Sequence, residues 1–312
     1  MEEYLQAKRE QCGARELTVA GREKNRVAVS SPTGAAQSDD VIVVQPRKES
    51  TAGGLNIMHR DLPGNTLAYL SCEGVVFGEP AQSTPLFEVQ IADDPQSNGV
   101  HWKREGGEHS YTWRYDNGIQ VEFRGSPQAS GLCLYYKVTN TSESPLKRVI
   151  VHTCIPTAEA PSFFSEFQEG AVHEEGKTGN YMGFYDRAFL WYGEKRFSIG
   201  QSEKGRDEIH LSFTRNGQPP VEWGWWVNGP ETFDVPLIAV QSKDGAFTTA
   251  LGFESAEWAS CNGGDDRACF HLFPLFGDLQ PGESREVRGC FYLMRGTPEY
   301  VLKTFRTDFP PE

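Results

Sequence analysis

Apolar and polar residues alternate one by one through much of the chain after residue 55. Leu132, Leu134, Tyr136 and Val138 alternate with Cys133, Tyr135, Lys137 and Thr139, the period of a half-buried β-strand. The runs 111–115 and 119–124 flank Asp116-Asn117-Gly118, and Asn-Gly between two apolar runs is a strong hairpin signal. The runs 237–242 and 246–253 flank Lys243-Asp244-Gly245 and predict a second hairpin. Asn140-Thr141-Ser142-Glu143-Ser144-Pro145 turns the chain into a strand at 148–155. Its sequon is read as a turn. Pro281-Gly282-Glu283-Ser284 leads into a strand at 285–294. One helix start stands out near 297–307. Thr297 is placed as N-cap, Pro298 opens the first turn, Glu299 follows, and Val301, Leu302 and Phe305 share a face. Many strands with turns every 8–15 residues predict an all-β fold, a large antiparallel β-sandwich with one short C-terminal helix.

Two stretches depart from this pattern. Residues 1–54 contain one of the 37 aromatic residues, Tyr4, and their eight acidic and eight basic side chains cancel. They read as an N-terminal tail or loosely docked arm, with 55–312 as a single β-sandwich domain. Val41-Ile42-Val43-Val44 is the exception within the arm, a β-prone run suited to join the main sheet. The segment 156–187 has no sustained period and many acids, yet it carries Phe163, Phe164, Phe167, Tyr181, Phe184 and Tyr185. A long irregular segment with that many aromatics is expected to fold over one end or face of the sandwich.

Composition narrows the function classes. The 312 residues carry a formal charge of −13, which disfavours duplex nucleic acid and anionic membrane surfaces. No apolar run is long enough for a transmembrane helix. The N-terminus Met1-Glu2-Glu3-Tyr4-Leu5-Gln6 shows no secretory signal. Seven cysteines, none in a C-x-x-C, with Cys133 and others inside apolar runs, read as buried reduced thiols and a cytoplasmic protein. No Gly-rich nucleotide loop follows a strand, and the seven histidines are scattered. No cofactor is therefore expected and no metal site is assigned.

The candidate chemistry lies beside the irregular segments. His152 ends an apolar strand just before 156–187, and His271 lies in the strand after Asn262-Gly263-Gly264-Asp265-Asp266-Arg267. A histidine titrates near neutral pH, so the two are candidates for an acid–base pair lining one pocket. Each also has a plain structural reading as a hydrogen-bonded core histidine. Asn262, Arg267, Asp186 and Arg187 are candidates to hold substrate oxygens. Glu222-Trp223-Gly224-Trp225-Trp226 places Trp223 and Trp225 on one face of a strand and Trp226 on the other. Trp223, Trp225 and Glu222 are candidates to meet a sugar ring.

Three features resemble the galactose-mutarotase-like, or supersandwich, proteins. They are the run from Tyr136 to Leu146, the late Leu279-Gln280-Pro281-Gly282-Glu283-Ser284, and the closing strand 289–294. The resemblance covers about 110–312. It implies a large sandwich and an epimerase, lyase or other carbohydrate-processing function. The family's histidine-plus-tyrosine-phenylalanine-asparagine phrase is missing, and its late glutamate has no clear counterpart, although Glu254 stands at a strand end. The leading expectation is a carbohydrate-active enzyme of the epimerase, isomerase or lyase type. It would act on a small-molecule substrate, a sugar or sugar acid, by proton transfer. The alternatives are a non-catalytic carbohydrate- or protein-binding module, and a metal-dependent lyase or oxygenase in which His152, His271 and acids of 156–187 meet.

Overall fold

The computed structural model describes residues 41–46, 54–78, 82–83, 101–163, 184–203, 210–215, 227–262 and 268–311. The strands in chain order are β1 (Val41–Pro46), β2 (Gly54–His59), β3 (Leu67–Phe77), β4 (Gln82–Ser83), β5 (Lys103–Glu105), β6 (Glu108–Arg114), β7 (Ile119–Gln128), β8 (Gly131–Asn140) and β9 (Leu146–Pro156). They continue as β10 (Ala188–Tyr192), β11 (Lys195–Ser198), β12 (His210–Thr214), β13 (Val227–Thr232), β14 (Leu237–Gln241), β15 (Phe247–Phe253), β16 (Ala256–Asn262), β17 (Cys269–Leu279) and β18 (Ser284–Arg295). The helix α1 spans Pro298–Asp308. One sheet runs β1-β2-β3-β9-β17-β16-β12-β13, with β4 beside β3. The other runs β11-β10-β14-β15-β18-β8-β7-β6-β5. The pairings are antiparallel except that of β12 with β13.

The predicted alternation sets the layers. Leu132, Leu134, Tyr136 and Val138 of β8 enter a core shared by both sheets, with Val121 and Phe123 of β7, Val149, Val151 and Ile155 of β9, and Phe270 and Leu272 of β17. The turn Asp116-Asn117-Gly118 joins β6 to β7, and Gly118 adopts φ +83°, a region an L side chain rarely occupies. Asn140 is fully buried. Its amide donates to the carbonyls of Ser144 and Leu279, and its Oδ1 accepts from the backbone N–H and hydroxyl of Ser142. The sequon is thus a folded turn.

The outer face of the second sheet carries α1. Val301, Leu302 and Phe305 pack on Trp191, Leu237, Ala250 and Tyr292. Gly252 permits this approach, because a Cβ there would stand 2.6 Å from the Phe305 ring. Thr297 occupies the N-cap position, but no side-chain cap bond forms. Its carbonyl accepts the N–H groups of Tyr300 and Val301 instead. Among the described residues no helix is long and apolar enough to cross a membrane.

Three findings refine the expectations. β1 pairs along β2, with Val41 opposite His59, so the sheet extends back into the segment assigned to the arm. Phe163, Phe184 and Tyr185 at the two ends of the irregular segment are fully buried. Cys133 is exposed. Its flanking leucines point inward, so the period-two pleat drives the cysteine to the outer face. The described cysteines are all free thiols.

Candidate functional site

The first sheet's outer face gathers the ionisable residues. Val149, Val151 and Ile155 of β9 point into the shared core, so Ile150, His152 and Cys154 point the other way. On β17, Phe270 and Leu272 point inward, and Cys269, His271 and Phe273 point outward. The register is continuous between Phe270–Ile155 and Leu275–Ile150. It sets Phe273 opposite His152 and His271 opposite Cys154. The two imidazole centroids lie 5.0 Å apart. His152 stacks on Phe273 at 4.6 Å, and Phe273 stacks on Trp258 of β16 at 4.3 Å.

A third ionisable group arrives through a bulge. Leu70 faces Cys154, but Gly74 faces His152, so β3 carries three residues (71–73) where β9 carries only Thr153. Extra residues break the alternation and re-aim side chains. Ser71 and Cys72 turn toward the core, where they meet the hydroxyls of Tyr111 and Tyr115. Burial pushes the Cys72 thiol up to about 12. Glu73 lies on the histidine side, with its Oε2 3.2 Å from His152 Nε2.

The cluster is shut off from bulk solvent. Glu73 is 6% exposed, His152 4%, His271 3% and Cys269 8%. His271 Nδ1 lies 3.1 Å from the Ser260 hydroxyl and 3.3 Å from the Ser260 carbonyl, and Nε2 lies 3.3 Å from Cys269 Sγ. Burial by itself disfavours a charged ring. The Cys269 sulfur, the Glu73 carboxylate and the Ser260 carbonyl outweigh it, so His271 titrates above an ordinary histidine. The arrangement raises the proton affinity of His271 and sets a carboxylate against His152. Its donors also come close enough to share a metal ion. Ligand atoms of Glu73, His152 and His271 lie within 4.8 Å of one another, as do those of Cys154, Cys269 and His271.

Of the other described candidates, Asn262 lies on the cluster's sheet face, whereas Arg187 is tied to the second sheet. Asn262 faces Cys269 across β16 and β17, one step along the same sheet face. Arg187 donates to the carbonyls of Gln241 and Phe163 and so ties the end of the irregular segment to β14. Burial depresses its pKa, against the pull of neighbouring Asp186. Asp186 is exposed. Glu254 stands in the turn after β15 and accepts from the backbone N–H and Nε of Arg288. Glu222, Trp223, Trp225 and Arg267 lie outside the described residues.

Sequence reasoning missed Glu73, Cys154 and Cys269 as companions of the histidines. Glu73 carried one signal, a lone acid inside the apolar run from Leu67 to Phe77.

No family model and no curated protein matches the chain. Similar solved structures include an α-N-acetylgalactosaminidase from Bifidobacterium bifidum in complex with GalNAc. It is 11% identical with a TM-score of 0.47, and the match covers 88% of this chain but 38% of that one. A galactose mutarotase-like protein from Clostridium acetobutylicum is 12% identical at a TM-score of 0.35, covering 82% and 95% of the two chains. A galactose mutarotase related enzyme from Lactobacillus acidophilus is 8% identical at 0.42, covering 84% and 97%. This chain spans less than two-fifths of the length of the glycosidase. The resemblance to the galactose-mutarotase-like proteins is distant.

Proposed function

We propose that the protein is a carbohydrate-active enzyme that moves a proton on a sugar or sugar acid, with His152 and His271 as acid and base. The observation that carries this reading is the convergence of Glu73, His152 and His271 on one sheet face from three different strands. Two imidazoles side by side can serve as the acid and the base that proton abstraction and return require. The raised pKa of His271 suits the acid. The Glu73 carboxylate, 3.2 Å from Nε2, orients the His152 ring as the base. Phe273 and Trp258 supply an apolar flank beside His152, and Asn262 supplies a polar one. The sugar class comes from the strand–turn phrases that resemble the supersandwich proteins. Because both rings are buried, this face must open before a substrate reaches them.

The test is proton exchange in D2O. Neutral sugars and sugar acids are incubated with the full chain, and loss of a carbon-bound proton signal is followed by NMR. The expected result is exchange on at least one class, falling about 10²–10⁴-fold in His152→Ala and His271→Ala. Both variants should stay folded. Variants that lose stability, with no exchange by the parent protein, would instead identify two structural histidines.

A second reading is favoured by the donor set Cys154, Cys269 and His271, which suits a soft divalent ion such as zinc. Elemental analysis of the protein as purified separates the two. A stoichiometric metal that is lost in Cys269→Ala would make the cluster a metal centre.

A further inference from the structure

We propose that Cys133 and Cys290, on the outer face of the second sheet, form a reversible disulfide-forming pair that is oxidised by hydroperoxides and reduced by small thiols. The two cysteines face each other across β8 and β18. Directly opposite residues of an antiparallel pair have Cα atoms about 4.5–5.5 Å apart, inside the span that a disulfide bridges. Their sulfurs are 4.0 Å apart, so side-chain rotation without strand movement closes the gap. This pair is remote in sequence and has no part in the histidine cluster.

The surroundings distinguish the two thiols. Cys133 is exposed and Cys290 is 2% exposed. Both border an open cleft of about 380 Å³ that also reaches Asp308 and Phe309 at the end of α1. The Gln128 side chain spans the two sulfurs. Its Nε2 donates to Cys290 at 2.9 Å, and its Oε1 accepts from the Cys133 thiol at 2.8 Å. A hydrogen bond from Cys290 to the ionised sulfur brings the Cys133 thiol below its ordinary range. An accessible thiol with enhanced thiolate character attacks first, and a buried thiol within reach resolves.

The chemistry balances with a hydroperoxide as oxidant. The Cys133 thiolate attacks a peroxide oxygen and the O–O bond breaks. With hydrogen peroxide the departing hydroxide takes a proton and leaves as water, so that Cys133 becomes a sulfenic acid. The Cys290 sulfur then attacks Cys133, the S–O bond breaks, and the Cys290 proton leaves with the second water. Two thiols and one peroxide give one disulfide and two waters. Two equivalents of a small thiol reverse the bond by exchange.

The experiment uses the full chain, reduced and then exposed to a small excess of hydrogen peroxide. Thiols are alkylated under denaturing conditions and counted by mass, and a non-reducing peptide map locates any link. The chain has seven cysteines. The expected result is a fall by two modified sites, a linked peptide joining Cys133 to Cys290, and full recovery with glutathione. In Cys290→Ala the expected product is a Cys133 sulfenic acid that dimedone traps. An unchanged thiol count overturns the proposal. So does over-oxidation of Cys133 with Cys290 still free, or a link between other cysteines such as Cys154 and Cys269. The peptide map of the parent protein decides the matter even where Cys290→Ala fails to fold.

Discussion

His271 binds a proton more readily than an ordinary histidine, although burial opposes the charge. Its folded-state pKa is raised from 6.5, so the charged ring binds its proton more tightly folded than unfolded. The stability it contributes is fully present below pH 6.5 and is lost as pH rises through the folded value. In His271→Asn this dependence should vanish. Urea unfolding of both proteins across pH 5–9 should give a difference that is largest on the acid side and shrinks upward. A difference that stays flat or grows with pH would remove the charged ring from the account. The sequence made His152 and His271 legible because an ionisable ring inside an apolar strand is conspicuous. Glu73 was not legible, since its place depends on the bulge at 71–73, and alternation counted along β3 sends it to the wrong face.

Helix α1 is attached through a contact that only glycine permits. In Gly252→Ala the new methyl meets the Phe305 ring at 2.6 Å. The ring sits in the packed layer with Trp191 and Leu237, and overpacking of this kind costs roughly 1–3 kcal/mol. Adding Phe305→Leu should recover part of the loss, because the smaller side chain vacates the point of collision. Thermal melts of the single and double variants check this, and strictly additive losses would show that the two sites do not meet. At this scale the sequence read well. The hairpins around Asn117-Gly118 and Asp244-Gly245 and the Pro298 helix rest on local turn and capping chemistry, which acts within a few residues. Pairings such as β9 with β17 and β8 with β18 join segments more than a hundred residues apart. No local pattern names such partners.

The whole molecule tests the boundary at its N-terminal edge. Val41 packs into the shared core and β1 pairs with β2. Removing residues 1–40 should therefore leave the melting temperature nearly unchanged, whereas removing 1–53 uncovers the β2 edge and should lower it. Equal losses in the two truncations would mean that the first forty residues contribute to the fold. An exposed edge also invites self-association, so light scattering should separate the two proteins as clearly as the melts.

The strands β17 and β18 are neighbours in sequence but occupy opposite sheets. β17 lies between β9 and β16, and β18 lies between β8 and β15. Without them each sheet falls into two unconnected halves. As a nascent chain emerges, hairpins such as β6–β7 and β14–β15 can form early, yet the first layer waits for residue 279 and the second for residue 295 to leave the ribosome. Folding of the finished chain is then governed by long-range closure, which is slow because loop entropy is lost before the contacts repay it. Ribosome-stalled chains ending near residue 268 should remain open to protease, while chains extended past 311 by a linker should become resistant. His271 and Cys290 both sit on this late pair, so neither the histidine cluster nor the thiol pair exists before the last seventh of the chain is made.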